Sequence, residues 1–271
     1  METSFAPSGE QLLRFLPEMT LAVFAVLLML WESRYDDHGE RPGMPAMTLI
    51  GLALAAVATI LAGAAPGLAF HNMIIVDGFS TFFRLLVLTV AALGVLSASP
   101  FLRQRQAEGG EFYSLLLLSL IGQSLMAASN ELIMVFLGIE ISSIASYVLA
   151  GYLREDKRSN EAALKYFLLG SFATGFLLYG ISWIYGLTGT TNLTEIAAIL
   201  GNADIAPDAL FVTAAAALML AGLCFKISAF PFQSWAPDVY QGAPTPVGAF
   251  LSAAPKAAAF ATLLRVFYTA L

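Results

Sequence analysis

Four ionisable side chains, Glu140, Lys165, Lys226 and Lys256, lie inside stretches of sequence that are otherwise apolar. A charge in the middle of a membrane span is costly in lipid, so each of them must face protein or water. Lysine can release its proton when it is desolvated, whereas arginine keeps its charge. The pattern therefore predicts a path for protons. A buried ion pair that only fixes helix packing is the alternative.

Prolines lie close to two of these lysines. Pro231 follows Lys226 by five residues, and Pro255 directly precedes Lys256. Because proline lacks an N–H, it leaves a carbonyl unpaired, and at membrane depth such carbonyls need water or protein donors. The segment 230–238 is also too polar for a plain span. We predict that this span is discontinuous near Lys226, with an ordinary proline kink as the alternative.

The composition sets the class of protein and excludes several functions. Of the 271 residues, 58% are hydrophobic and 12% are charged, about half the charged share of a soluble domain. A net charge of −6 argues against a nucleic-acid partner. A single cysteine, two histidines (His38 and His71) and no phosphate-binding motif predict no metal, haem or nucleotide cofactor. An all-α polytopic membrane protein in a lipid bilayer is the remaining class.

Eight apolar stretches are long enough to cross a bilayer as helices. The predicted spans are 12–31, 45–65, 79–99, 112–129, 131–152, 161–187, 208–230 and 243–269. A short helix that Asn192 or Thr194 could cap follows the sixth span.

The positive charges between the spans predict the orientation. The loops after the first, third and fifth spans contain seven, whereas those after the second, fourth and sixth contain none. The seven are Arg34, Arg41, Arg103, Arg105, Arg154, Lys157 and Arg158. This asymmetry predicts an N-terminus on the outer side. Because acidic Glu2 and Glu10 precede the first span, we expect a retained anchor and not a cleaved signal peptide.

Three arginines lie in or near the spans. Arg14 and Arg265 are close to span ends, where we expect them to reach outward to water. Arg84 lies inside the third span, seven residues after Asp77, and two helical turns place both on one face. We therefore predict a structural Asp77–Arg84 pair, with a transport role as the alternative.

The segment 230–247, Phe-Pro-Phe-Gln-Ser-Trp-Ala-Pro-Asp-Val-Tyr-Gln-Gly-Ala-Pro-Thr-Pro-Val, resembles a signature of a known family. The family comprises the antiporter-like proton-channel subunits of respiratory complex I and of multisubunit cation/proton antiporters. Segments 130–140 and 161–167 are similar to it as well. The Asp-Val-Tyr form at 238–240 resembles one subunit type of the complex I branch, whereas the other antiporter-like complex I subunits and true antiporters usually carry Asp-Ala-His there.

The resemblance implies roles for the four intramembrane charges. Glu140 matches the family's fifth-span glutamate and Lys226 the lysine of the broken seventh span. Lys165 matches the sixth-span lysine beside that pair, and Lys256 the lysine of the central hydrophilic axis. With Glu140 charged and close, protonated Lys226 is stabilised. If the carboxylate is drawn away, the proton can pass through water towards Lys256.

The resemblance also implies an architecture and partners. Residues 1–110 would form the first three transmembrane helices and 111–271 a first five-helix repeat, whereas the family's second, inverted repeat is absent from residues 1–271. The expected function is proton translocation in NADH:quinone oxidoreductase, without redox chemistry of its own. Expected partners are the antiporter-like subunit M and the small membrane subunits, in the bacterial inner membrane.

Three rival functions stay open from the residues alone. They are a subunit of a sodium/proton antiporter, a hydrogenase- or ferredoxin-linked relative of complex I, and a structural scaffold. Five hydroxyl groups could also line a path, although we expect each to serve mainly in helix packing. They belong to Ser142, Ser143, Tyr147, Thr174 and Tyr179.

Overall fold

A computed structural model describes residues 7–34, 41 and 43–271. Glu2 and His38 lie outside the described residues. The helices are α1 (Gly9–Arg14), α2 (Leu16–Glu32), α3 (Met44–Gly63), α4 (Gly78–Gln104), α5 (Gly110–Ala128), α6 (Leu132–Ala150), α7 (Lys157–Thr188), α8 (Leu193–Leu200), α9 (Ala209–Ile227), α10 (Trp235–Gly242) and α11 (Thr245–Thr269). The strands are β1 (Gly67–Ala69) and β2 (Ile74–Val76).

Within this part of the chain, seven helices are long and apolar enough to cross a membrane: α3, α4, α5, α6, α7, α9 and α11. The predicted first span is divided at Phe15 into α1 and the 17-residue α2, which begins with a proline in its first turn. The helical multi-pass class is confirmed. The count of eight spans and the outer position of the N-terminus stay predictions.

Glycines allow the long helices to approach one another closely. A Cβ atom added to Gly122 of α5 would lie 2.4 Å from the backbone nitrogen of Ser142 in α6. A Cβ on Gly180 of α7 would lie 2.7 Å from the carbonyl oxygen of Ala215 in α9. In a membrane, such small residues drive helix association because they allow extensive van der Waals contact between backbones. These close approaches pair α5 with α6 and α7 with α9.

A short β-hairpin, which the sequence did not predict, joins α3 to α4. Its antiparallel strands pair Gly67 with Val76, and each has three residues, too few to show alternation. The side-chain amides of Asn130 and Asn192 both donate to the carbonyl oxygen of Asn72 at the hairpin tip, at 3.1 and 3.2 Å. Asn192 also caps α8, which confirms the predicted short helix.

The predicted discontinuity near Lys226 is confirmed. Helix α9 ends at Ile227, and Ser228 adopts the left-handed conformation with φ of 57°. After a non-helical connection, α10 begins at Trp235, whose indole N–H donates to the carbonyl oxygen of Phe225 at 2.9 Å. The second proline-flanked lysine differs, because α11 continues as a helix through Pro255.

The predicted Asp77–Arg84 pair is wrong. Arg84 forms its ion pair with Glu18 of α2 at 2.6 Å, and both side chains are 1% exposed. Asp77 caps α4 by accepting from the backbone N–H of Ser80. Seven residues of helix separate Asp77 and Arg84 by about 10 Å along the axis, so sharing a face did not bring them together.

The two arginines expected to reach outward bind protein groups instead. Arg265 donates to the Asp77 carboxylate at 2.9 and 3.0 Å, and its side chain is 10% exposed. Burial by itself raises the pKa of Asp77, but the hydrogen bonds from Arg265 and Ser80 more than offset this and hold it below its usual value. Arg14 donates to three carbonyl oxygens of the segment 65–68. A helix-capping carboxylate and loop carbonyls thus bind charges that water was expected to solvate.

Candidate proton-transfer site

Lys226 is a buried ammonium group at the end of α9, with 5% of the residue exposed. Its Nζ donates a hydrogen bond to Ser143 Oγ of α6, and the Ser143 hydroxyl donates to the carbonyl oxygen of Ile139. Because α9 stops one residue after Lys226, the side chain lies where regular helical bonding ends. A buried lysine at such a break is a candidate for reversible protonation.

Glu140 supplies the opposite charge. It lies one helical turn before Ser143 on the same face of α6, and its carboxylate acts electrostatically on the Lys226 ammonium. The two groups do not form a direct ion pair, because Lys226 donates to Ser143 instead. Within the described part of the chain, the buried Oε1 of Glu140 accepts no hydrogen bond. The carboxylate is therefore near Lys226, and its Oε1 can still accept a hydrogen bond or a proton.

Two tyrosine rings enclose the other sides of the ammonium. Nζ of Lys226 lies 5.8 Å from the ring centres of both Tyr147 in α6 and Tyr166 in α7. Ring faces attract cations, most strongly where water is excluded. Gly170 of α7 admits the Tyr147 hydroxyl, since a Cβ atom there would lie 2.1 Å from that oxygen. The charged form of Lys226 is thus held by one hydroxyl, two rings and a nearby carboxylate.

Lys256, half-buried on α11, is linked to this region through aromatic side chains. Its Nζ lies 5.3 Å from the ring centre of Tyr240 in α10. The Tyr240 ring lies 6.0 Å from Trp235, and Trp235 stacks on Tyr166 at 4.6 Å. The rings of α10 therefore stand between the surroundings of Lys226 and those of Lys256.

The structure places Lys165 apart from the buried group. Its side chain is 43% exposed on α7, and Nζ contacts Glu161 and Asp238, each at 2.8 Å. These residues line an open groove of about 230 Å³ between α7 and α10. Of the four predicted site residues, Glu140 and Lys226 thus lie in one region, Lys256 is linked to it through the rings of α10, and Lys165 lies in the groove between α7 and α10.

The five hydroxyl groups proposed as lining separate into different environments. Ser143 and Tyr147 contact Lys226 directly. Thr174 donates to backbone carbonyls of its own helix, as expected for a packing role, and Tyr179 is 55% exposed. Ser142 faces α5, away from the lysine.

A buried polar cluster between α5 and α6 was not predicted. Gln123 donates to Ser119 at 3.0 Å, and the Ser119 hydroxyl lies 3.2 and 3.3 Å from those of Ser142 and Ser146. All four side chains are at most 3% exposed. The only sequence signal is the i, i+4 spacing of polar residues on two apolar helices, which also occurs in ordinary helix packing.

The chain matches the family model described as NADH:quinone oxidoreductase/Mrp antiporter, transmembrane, over residues 129–270. It is 57% identical over 270 residues to NADH-quinone oxidoreductase subunit N 1 of Solibacter usitatus, covering 100% of this chain and 55% of that protein. It is 41% identical to subunit N of Trichlorobacter lovleyi, covering 94% of this chain and 52% of that protein. The chain therefore spans about half the length of these relatives.

Solved structures with a similar fold come from three membrane complexes. A chain of respiratory complex I from Thermus thermophilus with bound Aureothin matches with a TM-score of 0.77 and 39% identity, over 92% of this chain and 53% of that one. An archaeal membrane-bound sulfane sulfur reductase matches with a TM-score of 0.73 and 26% identity, over 93% and 52%. The Mrp complex from Dietzia sp. has a TM-score of 0.73 at 21% identity, over 96% and 49%, and shares the fold alone.

Proposed function

The chain belongs to the NADH:quinone oxidoreductase/Mrp antiporter transmembrane family, and we propose that it acts in proton translocation as part of a subunit N of NADH:quinone oxidoreductase. The named relatives at 57% and 41% identity support this choice within the family. The sodium/proton antiporter alternative is less well supported, because the Mrp complex from Dietzia sp. shares the fold at 21% identity.

One observation carries the proposal. A buried lysine, Lys226, lies at a helix break beside a carboxylate, Glu140, that acts on it electrostatically without a direct ion pair. A fixed structural pair would be expected to satisfy both groups with direct charge-assisted hydrogen bonds. An incompletely bonded pair is suited to a change of protonation instead.

In the proposed mechanism, Glu140 controls the charge of Lys226. While the carboxylate is ionised and close, it stabilises the ammonium. When Glu140 is drawn away or binds another donor, the desolvated ammonium becomes costly, and its proton leaves. The proton moves through water towards Lys256, past the ring of Tyr240 that lies 5.3 Å from Nζ of Lys256. Quinone reduction in other subunits would supply the energy, and this chain would act as a non-redox part of the translocase.

The proposal includes a setting for the chain. We place it in the bacterial inner membrane with the N-terminus on the outer side, next to the antiporter-like subunit M and the small membrane subunits. Residues 1–110 would form the first three membrane helices and residues 111–271 the first five-helix repeat, with no cofactor of its own. The chain would then contribute one half of a path through the membrane.

The test replaces the two central charges in the full-length protein within its complex. Glu140→Ala and Lys226→Ala should each strongly reduce proton pumping and coupled turnover while the complex still assembles. Lys157→Ala, which removes an exposed lysine at the start of α7, is the matched control and should pump normally. Normal pumping by both Glu140→Ala and Lys226→Ala would overturn the proposal.

A further inference from the structure

Helix α10 contacts the surroundings of all three lysines of the predicted site. Its first residue, Trp235, stacks at 4.6 Å on Tyr166, the ring that lies 5.8 Å from Nζ of Lys226. On the same short helix, the ring of Tyr240 lies 5.3 Å from Nζ of Lys256. A shift of α10 would therefore change the environments of Lys226 and Lys256 together.

A surface ion pair joins α10 to α7. Asp238 accepts a hydrogen bond from Nζ of Lys165 at 2.8 Å, and Glu161, one turn before Lys165 on α7, contacts the same ammonium at 2.8 Å. The end of α10 also packs tightly on α7, because a Cβ atom on Gly242 would lie 2.6 Å from the carbonyl oxygen of Arg158. Lys165 is thus the charged contact that fixes the middle of α10 to a long membrane helix.

We propose that Lys165 is a positioning residue whose ion pair with Asp238 holds α10 in place, and with it the contacts that Trp235 and Tyr240 make around Lys226 and Lys256. This assignment rests on the proposed function and replaces proton transfer by Lys165 itself. Two carboxylates at 2.8 Å favour a permanently charged lysine, which is what a tether requires. A proton carrier must instead lose its charge in each cycle.

Arginine separates the two roles, because it keeps a positive charge and an ion pair but does not release a proton at working pH. In the full-length protein within its complex, Lys165→Arg should retain the proton-to-electron ratio of the wild type. Lys165→Gln and Asp238→Asn should each lower this ratio, because loss of an exposed pair worth up to about 1 kcal/mol shifts the equilibrium between held and displaced α10 by up to about fivefold. The charge swap that combines Lys165→Asp with Asp238→Lys should restore pumping in part. Lys157→Gln, on the same helix, is the matched control.

Two results would overturn the inference. The first is a loss of pumping in Lys165→Arg as large as that in Lys165→Gln, which a proton carrier predicts. The second is wild-type pumping in both Lys165→Gln and Asp238→Asn. Lys226→Ala measured alongside separates the two claims, since normal pumping there refutes the proposed function itself. If Lys226→Ala is inactive while the Lys165 variants disagree with these expectations, only the positioning role fails.

Discussion

The buried pair of Glu18 and Arg84 allows a quantitative prediction of stability. The two side chains are 1% exposed and lie 2.6 Å apart, and Ser124 bonds to both of them. Replacing either charge by methionine leaves the other buried without its counter-ion, which costs about 3–5 kcal/mol of the free energy of unfolding. The double replacement Glu18→Met with Arg84→Met removes both charges and should recover most of that loss, because an apolar pair of similar volume is often neutral.

The assay is a double-mutant cycle on the full-length protein in lipid–detergent micelles, with the free energy of unfolding measured by titration with SDS. The matched control cycle uses Asp77→Asn with Arg84→Met, the pair that helical periodicity favoured and the structure separates. Its coupling energy should lie within about 0.5 kcal/mol of zero, as for residues without shared contacts. A coupling of that small size between Glu18 and Arg84, or a large one between Asp77 and Arg84, would refute the reasoning.

Two further outcomes follow from local geometry. Gly170→Ala places a Cβ atom 2.1 Å from the Tyr147 hydroxyl and must displace that ring from Lys226, so coupled proton pumping should fall. Gly175→Ala meets nothing within 4 Å and should pump normally, and equal pumping by both variants would contradict the ring's role. Asp77→Asn should lower the free energy of unfolding at neutral pH, because the pKa of Asp77 is below its unfolded value of about 3.9. This difference from wild type should shrink as pH falls below the unfolded pKa and vanish below the lowered pKa, and a difference that does not shrink with falling pH would contradict the assignment.

The membrane helices could be predicted from the sequence because length and hydrophobicity alone determine what crosses a bilayer. The break after Lys226 was predictable for the same kind of local reason, a polar, proline-rich segment at membrane depth. The partners of the buried charges could not be predicted from the sequence. Glu18 and Arg84 are 66 positions apart, and only the packing of both α2 and α4 against α5 shows that they meet.

The site was predictable in its charges and only in part in its lining. Glu140 and Lys226 are exceptional in apolar helices, so composition identifies them. Ser143 was one of five hydroxyl groups named as possible lining, whereas Tyr166 and Trp235 are ordinary residues of membrane helices. Only the packing of α7 and α10 brings Tyr166 to Lys226 and Trp235 onto Tyr166. Lys165 was predicted beside the Glu140–Lys226 pair, but the return of α10 over α7 gives it a surface carboxylate partner instead. Tertiary packing decides such contacts, and local sequence does not encode them.

The most direct test of proton transfer by Lys226 is the number of protons pumped per electron by the Lys226→Arg variant of the full-length protein in its complex. Arginine preserves the positive charge that a structural pair with Glu140 would need, but it does not release a proton at working pH. The account predicts an assembled complex that transfers electrons with a clearly reduced proton-to-electron ratio. A ratio equal to that of the wild type would contradict it and would assign Lys226 to packing.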